Sequence, residues 1–566
     1  MVLLAALVGA LAGMAVYVIS RAAQIAHVFF FGLDMEERLS GADHVPALFA
    51  FGIPVLGGLA LGLFNLVLAR RHARRPVDPI EANALHGGRM SLSGSLIVGV
   101  QTLISNACGA SVGLEAAYSQ LGSGIAARLG LAFRLRRVDM RLLVGCGSAG
   151  AIAAAFGAPL TGAFYAFEII IGSYAVGTLA PVAASAIAGT IVAHLLGLEP
   201  YRFVIGVAFQ PQATGVATLC GLGLFCAAVA IGLMQGVALC EKMFRRVPLP
   251  IGFMPAVGGA LVGAMALITP QVLSAGHGAL MNLLVTSSPT LLVLGGLILL
   301  KALASAVSLG SGFRGGLFFA SLFLGALVGQ FFIGGVHLVT LNAGVTPHAA
   351  ALAGMAALAA AIIGAPLTMS FLVLEMTGDF QLSVAVLMAV IVASITVRET
   401  FGYSFATWRF HLRGEAIRSA HDVGWARDLT VAKVMRSPVP TVDKAMSLTA
   451  LRDRHALGSI HYVVAVDGPA NLYAGLVRVA DAYQVNQEGK DGALFVEGIM
   501  THRAVTLSPS MMLKEATELI EANDTEALAV VDAKMQVVGL LSESHALRRY
   551  AEAVDRARRD LAGEGV

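Results

Sequence analysis

The chain has 566 residues, of which 57% are hydrophobic and 13% charged, and its mean hydropathy is +0.78. Soluble domains carry about 25% charged residues, so most of this chain belongs in a membrane. A formal net charge of +3, with no nucleic-acid motif, gives no case for a nucleic-acid partner.

The apolar start, Met1 to Ile19, is followed by Arg21 and has no basic region before it. It reads as a first membrane helix rather than a cleaved leader. Two basic runs, Arg70 to Arg75 and Arg134 to Arg137, sit between apolar spans and read as cytoplasmic flanks obeying the positive-inside bias. Apolar segments continue to about residue 410, and many are rich in glycine, which lets helices approach closely in lipid. Cys108, Cys146, Cys220, Cys226 and Cys240 all lie in these segments without C-x-x-C spacing, so they read as small buried hydrophobes.

Breaks recur at what should be membrane depth: Gly157-Ala158-Pro159, Gly310 to Gly316, and Gly364-Ala365-Pro366. Such breaks are tolerated only where the freed backbone is buried or lines a cavity, which predicts short, tilted and re-entrant helices. Two of the breaks belong to a repeat. Gly147 to Glu168 reads G-S-A-G-A-I-A-A-A-F-G-A-P-L-T, six residues, then Glu; Gly354 to Glu375 repeats the glycine, the G-A-P-L-T word and the glutamate at a constant offset of 207. Paired halves with interrupted helices place a transport site at their interface. Charge is sparse here. From Leu142 to Pro200 the only charged side chains are Glu168 and Glu199; from Leu291 to Thr400 they are Lys301, Arg314, Glu375, Asp379, Arg398 and Glu399. Each needs a partner, a wet cavity or an interface.

Past Arg413 charges become frequent and a second repeat begins. Val431 to Met435 matches Val496 to Met500, and Pro440 to Val442 matches Val505 to Leu507, both at an offset of 65. Each is followed by an amphipathic helix (Leu448 to Leu457; Leu513 to Glu521), an apolar strand (His461 to Val466; Ala527 to Val531) and a Gly-led strand (Gly475 to Val477; Gly539 to Leu541). This predicts a soluble tandem α/β module of about 60 residues per copy.

Four segments together carry a resemblance. They are Gly109 to Ala117 with its single acid Glu115, the Gly147 to Glu168 copy, Lys301 to Ala320 with Gly310-Ser-Gly and Gly315-Gly316, and Phe401-Gly-Tyr403-Ser. The set resembles the CLC family of chloride channels and chloride/proton antiporters. The tail resembles the paired cystathionine-β-synthase (CBS) domains that many of its members carry. The resemblance implies a mainly α, polytopic membrane protein with inverted-repeat, re-entrant helices (the CLC fold) plus a C-terminal α/β tandem CBS module. The expected divisions are a transport domain at 1–415, a linker at 416–428, a first CBS domain at 429–490, and a second CBS domain with a C-terminal helix at 491–566. It further implies a homodimer with one pore per subunit, cytoplasmic CBS domains and a prokaryotic inner or plasma membrane. Chloride or a similar small anion, with protons as a further candidate, would be the cargo.

The residues support this physically. Glycines before a helix leave N–H groups pointing into the break, and helix N-termini bind anions. The amides of Leu317 and Phe318 are therefore candidates to hold a dehydrated anion, as their family counterparts do, and Gly316 is placed with them at the anion-binding site. Glu115 falls on the glutamate of the family word G-R-E-G-P, the gate, where a carboxylate can itself occupy the anion site. The chain departs from that word at Leu114, Ala116 and Ala117. Tyr403 matches the family tyrosine whose hydroxyl donates to the central anion. The family's G-S-G-I-P aligns with Arg75-Pro76-Val77-Asp78-Pro79, so the anion-coordinating serine falls on Pro76, which offers neither hydroxyl nor N–H. Members with proline there tend to prefer nitrate.

Alignment through G-A-P-L-T puts the antiporters' proton-relaying glutamate on Ile169, one residue after Glu168. Isoleucine cannot carry a proton, which favours a gated channel with passive flux. The alternative is chloride/proton antiport with Glu168 as the proton-pathway candidate. The plain structural reading of Glu168 and Glu375 is that they cap neighbouring helix N-termini. No cofactor is implied for transport. Adenine nucleotide is the one ligand the tail raises, through the family word G-h-h-S/T-x-x-D. The first copy keeps Asp481 but has Arg478 for the hydroxyl; the second keeps Ser542 but has His545 for the acid. Two rivals remain. A cation-coupled transporter would use Glu115, Glu168 and Glu375. A membrane enzyme would need a metal set or nucleophile–base pair, for which His194, His277 and His348 have no spacing.

Overall fold

The computed structural model describes residues 1–71, 75–200, 213–285, 289–340, 343–402, 404–405, 407–408, 430–468, 470–484, 495–546 and 548–549. The chain divides into two compact units, Met1–Val423 and Gly424–Val566. The predicted linker, 416–428, lies outside the described residues.

Among its described residues the first unit is built of helices and their connecting loops. Its helices are α1 (Val2–Phe31), α2 (Ala47–Arg70), α3 (Pro79–Leu85), α4 (Leu92–Ala107), α5 (Glu115–Ala132), α6 (Arg137–Phe156), α7 (Pro159–Tyr165) and α8 (Val176–Leu195). These are followed by α9 (Ala213–Phe244), α10 (Met254–Ala266), α11 (His277–Val285), α12 (Leu291–Ser311), α13 (Phe318–Val339), α14 (Pro347–Ile363), α15 (Pro366–Thr377) and α16 (Phe380–Thr400). Among the described residues, eight helices are long and apolar enough to cross a membrane. Several others, such as α10, α14 and α15, are apolar but too short to span one alone.

The duplicated word explains how the short helices arise. Gly157 (φ 65°) and Gly364 (φ 83°) end α6 and α14 in the left-handed conformation that glycine adopts without a Cβ penalty. Ala158 and Ala365 follow in extended backbone, and Pro159 and Pro366 then open α7 and α15, where a missing N–H costs nothing. Three letters therefore stop one helix, turn the chain and start the next. After α7 the chain continues as a π-helical turn, Ala166–Ile171, which ends at Gly172.

Glycine also sets how the two halves pack. A Cβ on Gly147 of α6 would lie 2.2 Å from the Gly122 carbonyl oxygen on α5, and one on Gly354 of α14 would lie 2.3 Å from the Gly325 carbonyl oxygen on α13. The repeats thus use the same backbone-on-backbone contact twice. Gly147→Ala and Gly354→Ala are each expected to destabilise the folded protein by about 1–3 kcal/mol through overpacking. Thermal unfolding in detergent measures this; unchanged unfolding of both would show that these helices can part freely.

Sparse charges inside the apolar unit find partners. Lys301 is fully buried and donates to the carbonyls of Val272 (3.2 Å) and Ser274 (2.7 Å). Asp379 caps α16 by accepting from the Leu382 N–H at 3.0 Å.

The second unit holds the predicted tandem. In the first copy β1 (Thr441–Asp443) pairs parallel with β2 (Tyr462–Asp467), which pairs antiparallel with β3 (Leu472–Arg478). In the second, Leu507 bridges Val530 in parallel, and β4 (Ala527–Val531) pairs antiparallel with β5 (Val537–Ser542). The intervening helices run Leu448–Arg454 and Leu513–Ala522. The first stops three residues before the expected Leu457 because His455 turns extended (φ −132°, ψ 97°). The copies share a core of Val464, Tyr473, Leu476, Ala527, Ala529 and Val531.

Candidate anion site

The loops before α5 and α13 meet at the candidate site. Gly113 and Gly316 exchange two backbone hydrogen bonds as an antiparallel bridge: Gly113 N–H donates to the Gly316 carbonyl at 2.9 Å, and Gly316 N–H to the Gly113 carbonyl at 3.1 Å. Side chains brace the first loop. Asn106 donates to the Val112 carbonyl (2.9 Å), the Ser111 N–H donates to Ser308 Oγ (3.0 Å), and Ser111 and Ser305 hydroxyls lie 3.1 Å apart. The bridge holds the starts of α5 and α13 side by side, and both present unsatisfied N–H groups.

A cavity of about 210 Å³ opens at these two helix starts. One water needs only roughly 10–15 Å³ of such volume, so an anion fits with part of its hydration shell. Glu115, Gly316, Leu317, Phe318 and Pro76 all line this cavity. Glu115 is buried, and its Oε2 has no hydrogen-bond partner. That oxygen fills the gap between the glycines: a Cβ would approach it to 1.9 Å from Gly113 and to 3.5 Å from Gly316. The carboxylate also lies beside the N–H of Phe319 in the first turn of α13. It therefore sits at the start of α13, inside the cavity.

Gly316 does not offer its N–H to the cavity, because that N–H is committed to Gly113. Its part is to let the two loops touch, and Leu317 and Phe318 follow it along the cavity wall. Pro76 lines the cavity just before α3, whose N-cap is Asp78 (Oδ1 accepts from the Ile80 N–H at 2.9 Å). Tyr403 lies outside the described residues.

Glu168 and Ile169 point differently. Ile169 is buried and lines the cavity. Glu168 turns to α15: it accepts from the N–H groups of Leu367 and Thr368, both at 2.9 Å, and from Thr368 Oγ1 at 2.6 Å. Glu375 returns the arrangement to α7, accepting from the N–H groups of Leu160 and Thr161, both at 2.8 Å, and from Thr161 Oγ1 at 2.7 Å. Each half thus caps the other half's interrupted helix with a carboxylate at the positive end of the dipole. The capping reading describes both glutamates.

The sequence did not single out Tyr165, Thr102 or Arg314 as cavity residues, yet all three line it. Tyr165, whose phenol meets Ser119, carried a readable signal: the other repeat copy has Leu372 at the matched position. In the second unit, Arg478 binds Asp481 through Nε (2.8 Å) and Nη2 (2.7 Å). The carboxylate expected to meet a ribose is thus held by the residue that replaced the hydroxyl. Ser542 ends β5, apart from any matching acid at His545. No group of three or more His, Cys, Asp or Glu that could hold a metal occurs among the described residues.

Opposed halves, interrupted helices and paired helix starts around one cavity define a multi-pass membrane protein of duplicated architecture. Comparison with known proteins places it. The family described as voltage gated chloride channel matches residues 56–398, and the CBS domain family matches 496–552. The chain belongs to the CLC family of voltage gated chloride channels and carries a C-terminal CBS region. It is 30% identical over 406 residues to the voltage-gated ClC-type chloride channel ClcB of Salmonella dublin, covering 70% of this chain and 95% of that one. It is 29% identical over the same span to the ClcB of an Escherichia coli O17:K52:H18 strain, with the same coverage. Among solved structures it resembles a slow cyanobacterial Cl⁻/H⁺ antiporter (TM-score 0.63, 21% identity, 73% of this chain and 97% of that one). It also resembles a eukaryotic CLC transporter (TM-score 0.59, 17% identity, 96% and 97%).

Proposed function

We propose that this protein conducts chloride or a similar small anion passively, through a pathway gated by Glu115. The observation that carries the reading is the unpartnered Glu115 oxygen, seated between Gly113 and Gly316 at the start of α13. Helix starts attract anions, and a tethered carboxylate at that place competes with a free one. Passive flux over exchange is supported by Ile169, an apolar side chain on the cavity wall where the family resemblance puts a proton relay. It is supported also by Glu168, whose oxygens face the start of α15. Pro76, without hydroxyl or N–H, leaves room for nitrate as well as chloride.

The test uses the purified full chain in liposomes under a chloride gradient, with internal pH followed by a dye. Dissipation of the gradient without uphill proton movement is expected. Uphill protons would replace the channel with a chloride/proton antiporter. Reversal potentials in mixed chloride and nitrate rank the anions. The resemblance extends to a homodimer with a cytoplasmic CBS unit; a solution mass near twice 58.4 kDa, after subtraction of detergent, checks the dimer.

A further inference from the structure

The turn from α5 to α6 and the first turns of α6 carry four arginines, Arg134, Arg136, Arg137 and Arg141, against one acid, Asp139. The turn is tightly built. Phe133 N–H donates to the Leu129 carbonyl (2.9 Å), Arg134 N–H to the Leu131 carbonyl (3.2 Å) and Leu135 N–H to the Gly130 carbonyl (3.0 Å). Arg134 stands in the left-handed region (φ 52°), where glycine would be the unstrained choice. Arg136 is the N-cap of α6, and no side chain caps that helix start, so its first N–H groups add to the positive potential.

Arg137 and Arg141 lie one helical turn apart on the same face of α6. The stem of Arg137 rests on Gly87, where a Cβ would come within 2.5 Å of its Nε. Arg141 is half-buried, its Nε has no hydrogen-bond partner, and the like charge of Arg137 acts on it. None of the four arginines makes an ion pair among the described residues, and neither does Asp139. Glu81, on the helix that leads to Gly87, faces His86 Nε2 at 3.6 Å instead. Two guanidiniums held side by side at the edge of an apolar helix are costly without a counter-charge, so the arrangement calls for an anion from outside the chain.

The apolar neighbours identify that anion. Leu131, Phe133 and Val138 are interleaved with the arginines and are 43%, 61% and 43% exposed. α6, which begins at Arg137, is long and apolar enough to cross a membrane, so the cluster stands at the membrane boundary. We propose that Arg137 and Arg141, flanked by Arg134 and Arg136, bind the phosphate of an anionic phospholipid whose acyl chains lie along the exposed apolar side chains. The positive-inside bias makes this the cytoplasmic leaflet. Guanidinium groups present planar, paired N–H donors that match phosphate oxygens. The site is separate from the anion cavity and does not rest on the transport reading. It reaches the gate only through the scaffold: α5 begins at Glu115 and ends at this turn, so a bound lipid ties the far end of the gate helix to the bilayer.

Native mass spectrometry of the full chain in detergent tests the site, with phosphatidylglycerol and phosphatidylcholine of the same acyl chains as probes. The tightest phosphatidylglycerol is expected to bind about tenfold better than phosphatidylcholine. Arg137→Gln and Arg141→Gln should each weaken it about fivefold, the effect of one arginine beside an anionic lipid surface, and the double variant should lose the preference. Thermal unfolding separates a ligand site from a structural role. Without added lipid the glutamine variants should unfold no earlier than the natural chain, and phosphatidylglycerol should raise the unfolding temperature of the natural chain alone. If a variant in α6 fails to assemble, the exposed Arg134→Gln carries the comparison, with a smaller loss in the same direction. Equal binding of the two lipids, or a preference unchanged in the double variant, overturns the site. Inorganic phosphate protecting the chain as well as phosphatidylglycerol does would make the occupant a soluble anion and overturn the lipid assignment.

Discussion

Replacing Glu115 with glutamine is expected to raise chloride efflux at neutral pH about tenfold and to abolish its dependence on pH. Glu115 is the first residue of α5, and its side chain reaches across the Gly113–Gly316 bridge to the start of α13. In the charged form it is a tethered anion lying against backbone N–H groups that, in the proposed mechanism, would otherwise receive chloride. Protonation weakens that hold, so flux through the natural protein should rise as pH falls. Glutamine keeps the shape and removes the charge at every pH, so the variant should stay near the acid limit across the range. The magnitude follows from the difference between hydrogen bonds to a charged and a neutral acceptor, roughly 1.4 kcal/mol or a factor of ten. Efflux from liposomes, measured for both proteins between acid and alkaline pH, checks this. An Arg- or His-based sensor would reveal itself if Glu115→Gln kept the natural pH profile.

The contrast between Glu115 and Glu168 shows what a sequence can carry. The words that stop and restart helices are local, and G-A-P read in order gives the left-handed stop, the extended residue and the proline start seen at both Gly157 and Gly364. The partners of a side chain are not local. Glu168 meets Thr368 across 200 positions, and only the antiparallel meeting of the two copies decides that it faces α15 while its neighbour Ile169 faces the cavity. Successive residues of a helical turn point in different directions, so a one-residue difference in alignment exchanges the wet face for the packed one. Arg314 was visible as a charge in an apolar stretch, but its orientation depends on Gln101 and Asn65, over 200 residues earlier. Thr102 had no signal at all: hydroxyls are common on apolar helices, and only an unmet hydrogen bond sets this one apart.

Glu168→Gln and Glu375→Gln should therefore behave as a matched pair. Each carboxylate receives two backbone N–H groups and one threonine hydroxyl from the opposite half, over distances of 2.6–2.9 Å for Glu168 and 2.7–2.8 Å for Glu375. Loss of the charge weakens three hydrogen bonds and the interaction with a helix dipole at a partly buried site. A cost of about 1.5–3 kcal/mol per variant is expected, nearly equal for the two. Alanine should cost more, because it strands the amides of α7 or α15 where lipid and protein offer no substitute. Thermal unfolding in detergent measures the destabilisation, and liposome assays measure what happens to ions. If both glutamates are caps, the two glutamine variants will lower stability alike and leave proton movement unaltered. A proton carrier at Glu168 would break the symmetry: Glu168→Gln would change proton flux under a chloride gradient while Glu375→Gln would not. The duplication supplies the control for the shared caps; Tyr174 is a further partner of Glu168, so the readout that separates function from folding is proton flux, on which a cap has no bearing.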